Sequence, residues 1–239
     1  MSWVFERFES PPTAQAFPYG VSLCIGLGQN MLGLVKKGFA HAVFAAAGWS
    51  FKGEVPKASK TVFIAAPHTS NWDFVLLVLC AWHFELRLQW LGKHTIFKKP
   101  FGGFMRALGG VPVDRRSSHN LVDQLKAEYK KFDEFHLAIP PAGTRGYRDY
   151  WKSGFYHVAV GAEVPLVFGF LDYARKEGGI GGVIDLTGDV KVDMDEIRKF
   201  YDALGARFPE RKSRIRLRAE DEVAEQTPQE EPTQRAAGM

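Results

Sequence analysis

Thr61-Val62-Phe63-Ile64-Ala65-Ala66-Pro67-His68-Thr69-Ser70-Asn71-Trp72-Asp73 is the stretch whose reading decides the fold. Its first six residues form an uninterrupted apolar and β-branched run, the pattern of a buried strand, and Pro67 stops it. Trp72 to Trp82 then reads as a helix apolar on most faces. His68 and Asp73 are five residues apart, about 140° on a regular helix, so they cannot share a helical face. They can meet if His68 lies in the turn after the strand and Asp73 in the first helical turn, with Ser70 or Asn71 as cap. The carboxylate would then accept from one imidazole nitrogen and leave the other to take a proton, the geometry of a general base. No Gly-x-Ser-x-Gly elbow occurs in the chain, so a hydroxyl nucleophile would have to come from the substrate.

Working outward, strand and helix patterns alternate. Strands are expected at Leu88 to Leu91, Val111 to Val113, His136 to Ile139, Val164 to Leu171 and Val183 to Thr187, with a further edge strand at Arg214 to Leu217. Helices are expected at Pro100 to Leu108, after Ser118, from Trp151 to Ala162, and after Asp193 as a cap. This order predicts an α/β domain over residues 53–218 with a largely parallel central sheet flanked by helices. Ligands of such sheets collect beyond the carboxyl ends of the strands. His68, the run Asp114-Arg115-Arg116 and the run Gly143-Thr144-Arg145 each follow an expected strand, so parallel pairing would bring a base and three guanidinium forks to one edge.

Composition narrows the partners. The formal charge is +4 over 239 residues, but Ala219 to Met239 holds six acids and one base. That tail is therefore −5, and the preceding 218 residues carry +9. The tail has no apolar period and is expected to be disordered. A basic body suits nucleic acid, an anionic membrane or an acidic partner. No long basic run, zinc-finger spacing or RNP-type motif supports nucleic acid. Cys24 and Cys80 are far apart, with no metal-ligand spacing near them, so no metal and no disulfide is expected.

The N-terminal segment, 1–52, has its own character. Ala16 to Val35 lacks charge, Lys36-Lys37 interrupts, and Gly38 to Phe51 is again uncharged. Pro18, four glycines and several polar residues dilute the first run, and the second is short for a span of about 20 residues. Two in-plane helices with Lys36 and Lys37 at the headgroups and Trp49 and Phe51 as anchors fit this pattern best. A single tilted span and helices packed on the domain are the alternatives.

Four blocks recur in an order that resembles the glycerolipid acyltransferase family, which includes the lysophosphatidic acid acyltransferases. They are His68-x-x-x-x-Asp73, Gly110-Val111-Pro112-Val113-Asp114-Arg115, Pro141-Ala142-Gly143-Thr144-Arg145 and Val164-Pro165-Leu166-Val167. The resemblance implies His68 as base with Asp73 orienting it, and transfer of a fatty acyl group from a thioester to the hydroxyl of a lysophospholipid or glycerol-phosphate-type acceptor. The donor would be acyl-CoA or an acyl carrier protein, a substrate rather than a bound cofactor. It also implies that Arg115, Gly143, Thr144 and Arg145 hold the acceptor phosphate, with Arg116 beside them, and that Val164 and Pro165 line the cleft. Membrane association at the cytoplasmic face, with membrane lipids as partners, follows from the same likeness.

One position departs from the pattern. The family's third block usually reads Pro-Glu-Gly-Thr, whereas Ala142 stands here in place of the glutamate. If that carboxylate serves the acceptor hydroxyl, Ala142→Glu should raise transfer. The departure also motivates two alternative readings, a non-catalytic lipid-binding relative and an enzyme acylating an amino or sugar lipid without phosphate.

Overall fold

Strand β2 (Lys60–Ala66) is the spine of the sheet, paired in parallel with β5 (Phe135–Ile139) on one side and β6 (Leu166–Asp172) on the other. The computed structural model describes residues 22–113 and 118–226. Its other strands are β1 (Ser50–Lys52), β3 (Leu88–Lys93), β4 (Gly110–Val113) and β7 (Glu177–Ile184). They form one sheet in the order β1-β7-β6-β2-β5-β3-β4. From β6 to β4 every pair is parallel, and β7 returns antiparallel to β6 while pairing in parallel with β1. The helices are α1 (Ser22–Ala46), α2 (Trp72–His83), α3 (Gly102–Ala107), α4 (Ser118–Lys131), α5 (Gly154–Ala162), α6 (Val190–Tyr201) and α7 (Arg218–Gln226).

The apolar run of β2 is explained by burial on both faces. Val62 and Ile64, with Leu137, Leu166 and Phe168, face a layer built from Leu125 and Tyr129 of α4, Phe155 and Val158 of α5, and Met194, Ile197 and Tyr201 of α6. Phe63, with Ala138 and Val167, faces the opposite layer, where Trp90, Phe97, Phe74, Leu77 and Met105 pack. Two tyrosines tie the first layer to the sheet backbone. Tyr129 donates to the carbonyl of Thr61 at 2.8 Å, and Tyr201 to that of Gly169 at 3.0 Å.

Several local expectations are corrected. The segment carrying Lys36-Lys37 does not break, and one helix, α1, runs from Ser22 to Ala46. Both lysines are held by the end of α2 and its following turn, Lys36 over the Trp82 ring and Lys37 bonded to Glu85 at 2.7 Å. Ala40 and Phe44 bury the C-terminal half of α1 against Leu79 and Cys80 of α2. Gly48, at φ +71°, supplies the left-handed residue that ends the helical turn. Trp49 packs edge-on to Tyr173 and Phe51 stacks between Phe44 and His83, so both rings are engaged within the fold. No described helix is long and apolar enough to cross a membrane.

The C-terminal expectations change too. Arg214 to Leu217 pairs with no strand, and the acidic stretch after it begins as helix α7 rather than disorder. Glu220 explains this: it accepts from the Leu217 N–H at 2.7 Å and from the Arg198 guanidinium at 2.6 Å, while Tyr150 donates to Asp221 at 2.6 Å. Composition missed it because these acids are used locally, by a cap and by ion pairs. The rest of the tail, 227–239, lies outside the described residues, as does the segment 1–21. Asp189 caps α6, accepting from Lys191 and Val192. Asp193 is instead buried, taking bonds from Tyr156 and Thr187.

Candidate active site

Beyond the carboxyl end of β2 the chain turns once and enters α2, and Asp73 is the second residue of that helix. The turn folds around its carboxylate. Oδ2 accepts from the backbone N–H of Thr69 at 2.7 Å and of Ser70 at 2.8 Å, and lies 3.4 Å from Nδ1 of His68. Oδ1 accepts from the Tyr173 hydroxyl at 2.7 Å. Asn71 stands at the N-cap position without a side-chain bond, and the Ser70 hydroxyl before it accepts from the Trp72 N–H at 3.2 Å. Asp73 is 4% exposed and His68 25%. Burial alone would raise the Asp73 pKa, but the bonds from His68, Tyr173, Ser70 and Thr69 outweigh it and hold the carboxyl below its usual range. A carboxylate that stays ionised beside Nδ1 orients the ring and leaves Nε2 turned toward open space.

That space is a cavity of about 580 Å³, the size of a small-molecule site. It lies in the α2 layer, between that helix and the sheet. Phe74, Leu77, Ala81 and Phe84 form one wall, and Trp90, Phe170, Leu171 and Ile180 the other. Its polar groups gather at one end: His68, Asn71, Asp73, Lys93, Thr144 and Arg145. Parallel pairing causes this gathering. β2, β3 and β5 run the same way, so their carboxyl ends deliver His68, Lys93 and the Gly143 loop to one edge. Gly143 has φ +65°, a left-handed conformation that favours glycine, and a Cβ there would press on the Lys152 stem.

The structure therefore brings together His68, Asp73, Gly143, Thr144 and Arg145. Arg115 and Arg116 lie outside the described residues. Val164 and Pro165 are not part of the cavity and are corrected. They precede β6, where the Pro165 carbonyl accepts from Val62 N–H and Leu166 pairs with Val62. Because β6 is parallel to β2, its start lies at the far edge of the sheet from His68, about 20 Å of extended chain away. The carboxyl half of β6 reaches the cavity instead, through Gly169, Phe170 and Leu171. Ala142 does not line that cavity either, although the small gap it borders is also bordered by His68 and Thr69. It is 7% exposed and packs among Trp151, Tyr201 and Ile215 in the opposite layer.

Three residues of the site escaped the sequence reading. Lys93 ends β3 and could have been found by the same strand-end logic that selected Arg145. Asn71, a cap candidate in the sequence, also lines the cavity. Tyr173 carries no local signal, since its partner lies a hundred residues earlier. Among the described residues no group of acids, histidines and cysteines could hold a metal ion. Cys80, on the cavity wall, is buried and its thiol is pushed up to about 12, which leaves it inert as a nucleophile.

Residues 50–167 match the family model Acyltransferase. The chain belongs to the acyltransferase family. The matched span begins at β1 and ends in β6, so it contains His68, Asp73, Lys93 and the Gly143 loop of this acyltransferase. Among solved structures it resembles the 1-acyl-sn-glycerophosphate (LPA) acyltransferase PlsC from Thermotoga maritima. The sequences are 17% identical, the match covers 73% of this chain and 81% of that one, and the TM-score is 0.50. At that identity the likeness establishes the α/β fold of the acyltransferase, with its mostly parallel sheet. No curated protein matches by sequence.

Proposed function

We propose that this acyltransferase moves a fatty acyl group from a thioester donor to the hydroxyl of a lysophospholipid or glycerol-phosphate-type acceptor. The observation that carries the reading is the position of His68: it stands where an apolar cavity of about 580 Å³ meets Lys93 and Arg145. The apolar part suits an alkyl chain, and the two cations suit a phosphate on the molecule that brings the hydroxyl. Nε2 of His68 takes the hydroxyl proton as the oxygen attacks the thioester carbonyl. Collapse of the adduct breaks the C–S bond, and the imidazolium returns the proton to the leaving thiolate, giving an ester and a thiol.

The oxyanion needs a donor during this step. The N–H groups of Thr69 and Ser70 are engaged by Asp73, which leaves the Asn71 amide, on the cavity wall and without a capping bond, as the candidate. The donor is acyl-CoA or an acyl carrier protein, both acidic molecules that suit the basic body.

Membrane association at the cytoplasmic face is part of the proposal. Helix α1 buries Ala40 and Phe44 against α2 but exposes Met31, Leu34, Val35 and Phe39, an apolar face available to lipid. The test is thiol release by the purified full chain with acyl-CoA or acyl carrier protein as donor. It is run against lysophosphatidic acid, a phosphate-free lysolipid and no acceptor. The proposal expects release that depends on the phosphate-bearing acceptor. Release indifferent to the phosphate would favour an amino or sugar lipid instead.

A further inference from the structure

The short helix α3 and the 3-10 turn before it, His94–Phe97, present apolar side chains to solvent beside the cavity. Phe101 is 68% exposed and Phe104 60%. Phe97, from the same segment, is buried under Trp90 and anchors the turn, so the exposure of its neighbours belongs to a fixed structure. Ile96 is 42% exposed and also lines the cavity, as do Lys93 and Met105. The exposed apolar patch therefore runs into the cavity wall.

Its charge is one-sided. Lys93, Lys98, Lys99 and Arg106 surround the patch, and the chain from Leu86 to Val113 contains no acidic residue. Among the described residues, none of these four cations pairs with a carboxylate. Aromatic side chains ringed by lysine and arginine match an interface with an apolar interior and anionic headgroups. An acidic carrier protein would answer the charge; an anionic bilayer answers it as well and, because the apolar patch continues into the cavity wall, also gives a single-chain lipid a path in. The cavity, α3 and α1 all belong to the layer on the α2 side of the sheet.

We infer that the α3 patch is a second membrane-docking surface, which seats the cavity mouth on an anionic phospholipid surface so that single-chain lipids enter from the bilayer through Ile96 and Met105. The inference rests on the reading of the cavity as a lipid-acyl site, but the surface itself can be tested without turnover.

A benzophenone amino acid placed at Phe104 of the full chain, bound to vesicles of phosphatidylcholine and phosphatidylglycerol, should form lipid adducts on irradiation. The same group at Val192, exposed on α6 in the opposite layer, should form none. In parallel, Phe101→Asp with Phe104→Asp should raise KM for a vesicle-embedded acceptor by roughly tenfold or more. Its kcat, and its kinetics on a short-chain monomeric acceptor, should stay near wild type. A Phe104 probe without lipid adducts, while a probe at Val35 of α1 acquires them, would overturn the inference and leave the reaction untouched. Loss confined to reactions with an acyl carrier protein, in the absence of vesicles, would assign the patch to the carrier and equally overturn it.

Discussion

The Tyr173 hydroxyl donates to Oδ1 of Asp73 at 2.7 Å, while His68 Nδ1 stands 3.4 Å from Oδ2, so the two side chains hold opposite oxygens of one buried carboxylate. Tyr173 also packs edge-on against Trp49, at the corner where α1 meets the sheet. It is thus a positioning residue for Asp73. Tyr173→Phe keeps the ring and removes the bond. The expected result is about a tenfold loss in kcat, in line with a hydrogen bond to a charged group, with KM little changed. Because that bond lowers the Asp73 pKa, its removal should move the acid limb of the pH–rate profile to higher pH. An unmoved acid limb would mean that Tyr173 only fills space.

The α1–α2 junction should be sensitive to acid. His83 Nδ1 and His41 Nε2 lie 2.8 Å apart, a distance that needs one ring to donate and the other to accept. Burial, then the charge on His41 and on Lys37, hold His83 below its usual pKa, against a weaker pull from Glu85. The folded state therefore binds this proton less readily than the unfolded chain does. Its contribution is complete above the unfolded pKa of about 6.5 and is lost as pH falls through the lower folded value. Melting temperature measured from pH 8 to 5 should fall across that window. His83→Phe, which retains a ring to stack on Phe51, should flatten the dependence.

Ala142→Glu should destabilise the protein rather than activate it. The gap beside Ala142 is about 20 Å³, room for about one water. The gap is also lined by Lys212, whose ammonium donates to the carbonyls of Tyr201, Asp202 and Leu204 at 2.9 to 3.0 Å. A glutamate side chain there overpacks the gap and must break part of that network to reach the Lys212 ammonium, at a cost of about 1 to 3 kcal/mol. Denaturant unfolding should show this loss, and transfer to a phosphate-bearing acceptor should not rise. The gain expected from the sequence motif assumed that position 142 lines the substrate cavity, whereas it borders a water-sized gap on the other side of His68.

The depth of the cavity gives a prediction on chain length. Ala81 lines it two turns of α2 beyond Asp73. Ala81→Trp would fill that section, so transfer from long-chain donors should fall by roughly tenfold or more while short-chain donors keep most of their rate. A chain-length profile of kcat/KM checks it, and an unchanged profile would place the alkyl chain elsewhere.

Much of the site was legible because parallel topology converts sequence order into place. A buried run ending in Pro67 announced β2, and the residues just after β2 and β5 had to share an edge. That logic located His68, Asp73 and the Gly143 loop. The motif block at Val164-Pro165 misled because a block can matter to folding as well as to chemistry. Here Pro165 opens β6 at the wrong edge for the cleft, and its carbonyl starts the pairing with β2. Tyr173 was invisible because the sequence does not record which long-range partner a tyrosine meets. The continuity of α1 was missed because Lys36 and Lys37 looked like an interruption, whereas long lysine stems let a helix pass while the ammonium groups find Trp82 and Glu85.

The role of His68 is tested most directly by thioester turnover of His68→Ala in the intact chain, with acyl donor and lysophosphatidic acid both present and folding verified by circular dichroism and melting temperature. Loss of the base should lower kcat by about 10² to 10⁴-fold, with the fold retained. A folded His68→Ala protein that transfers acyl groups at nearly the wild-type rate would contradict the mechanism.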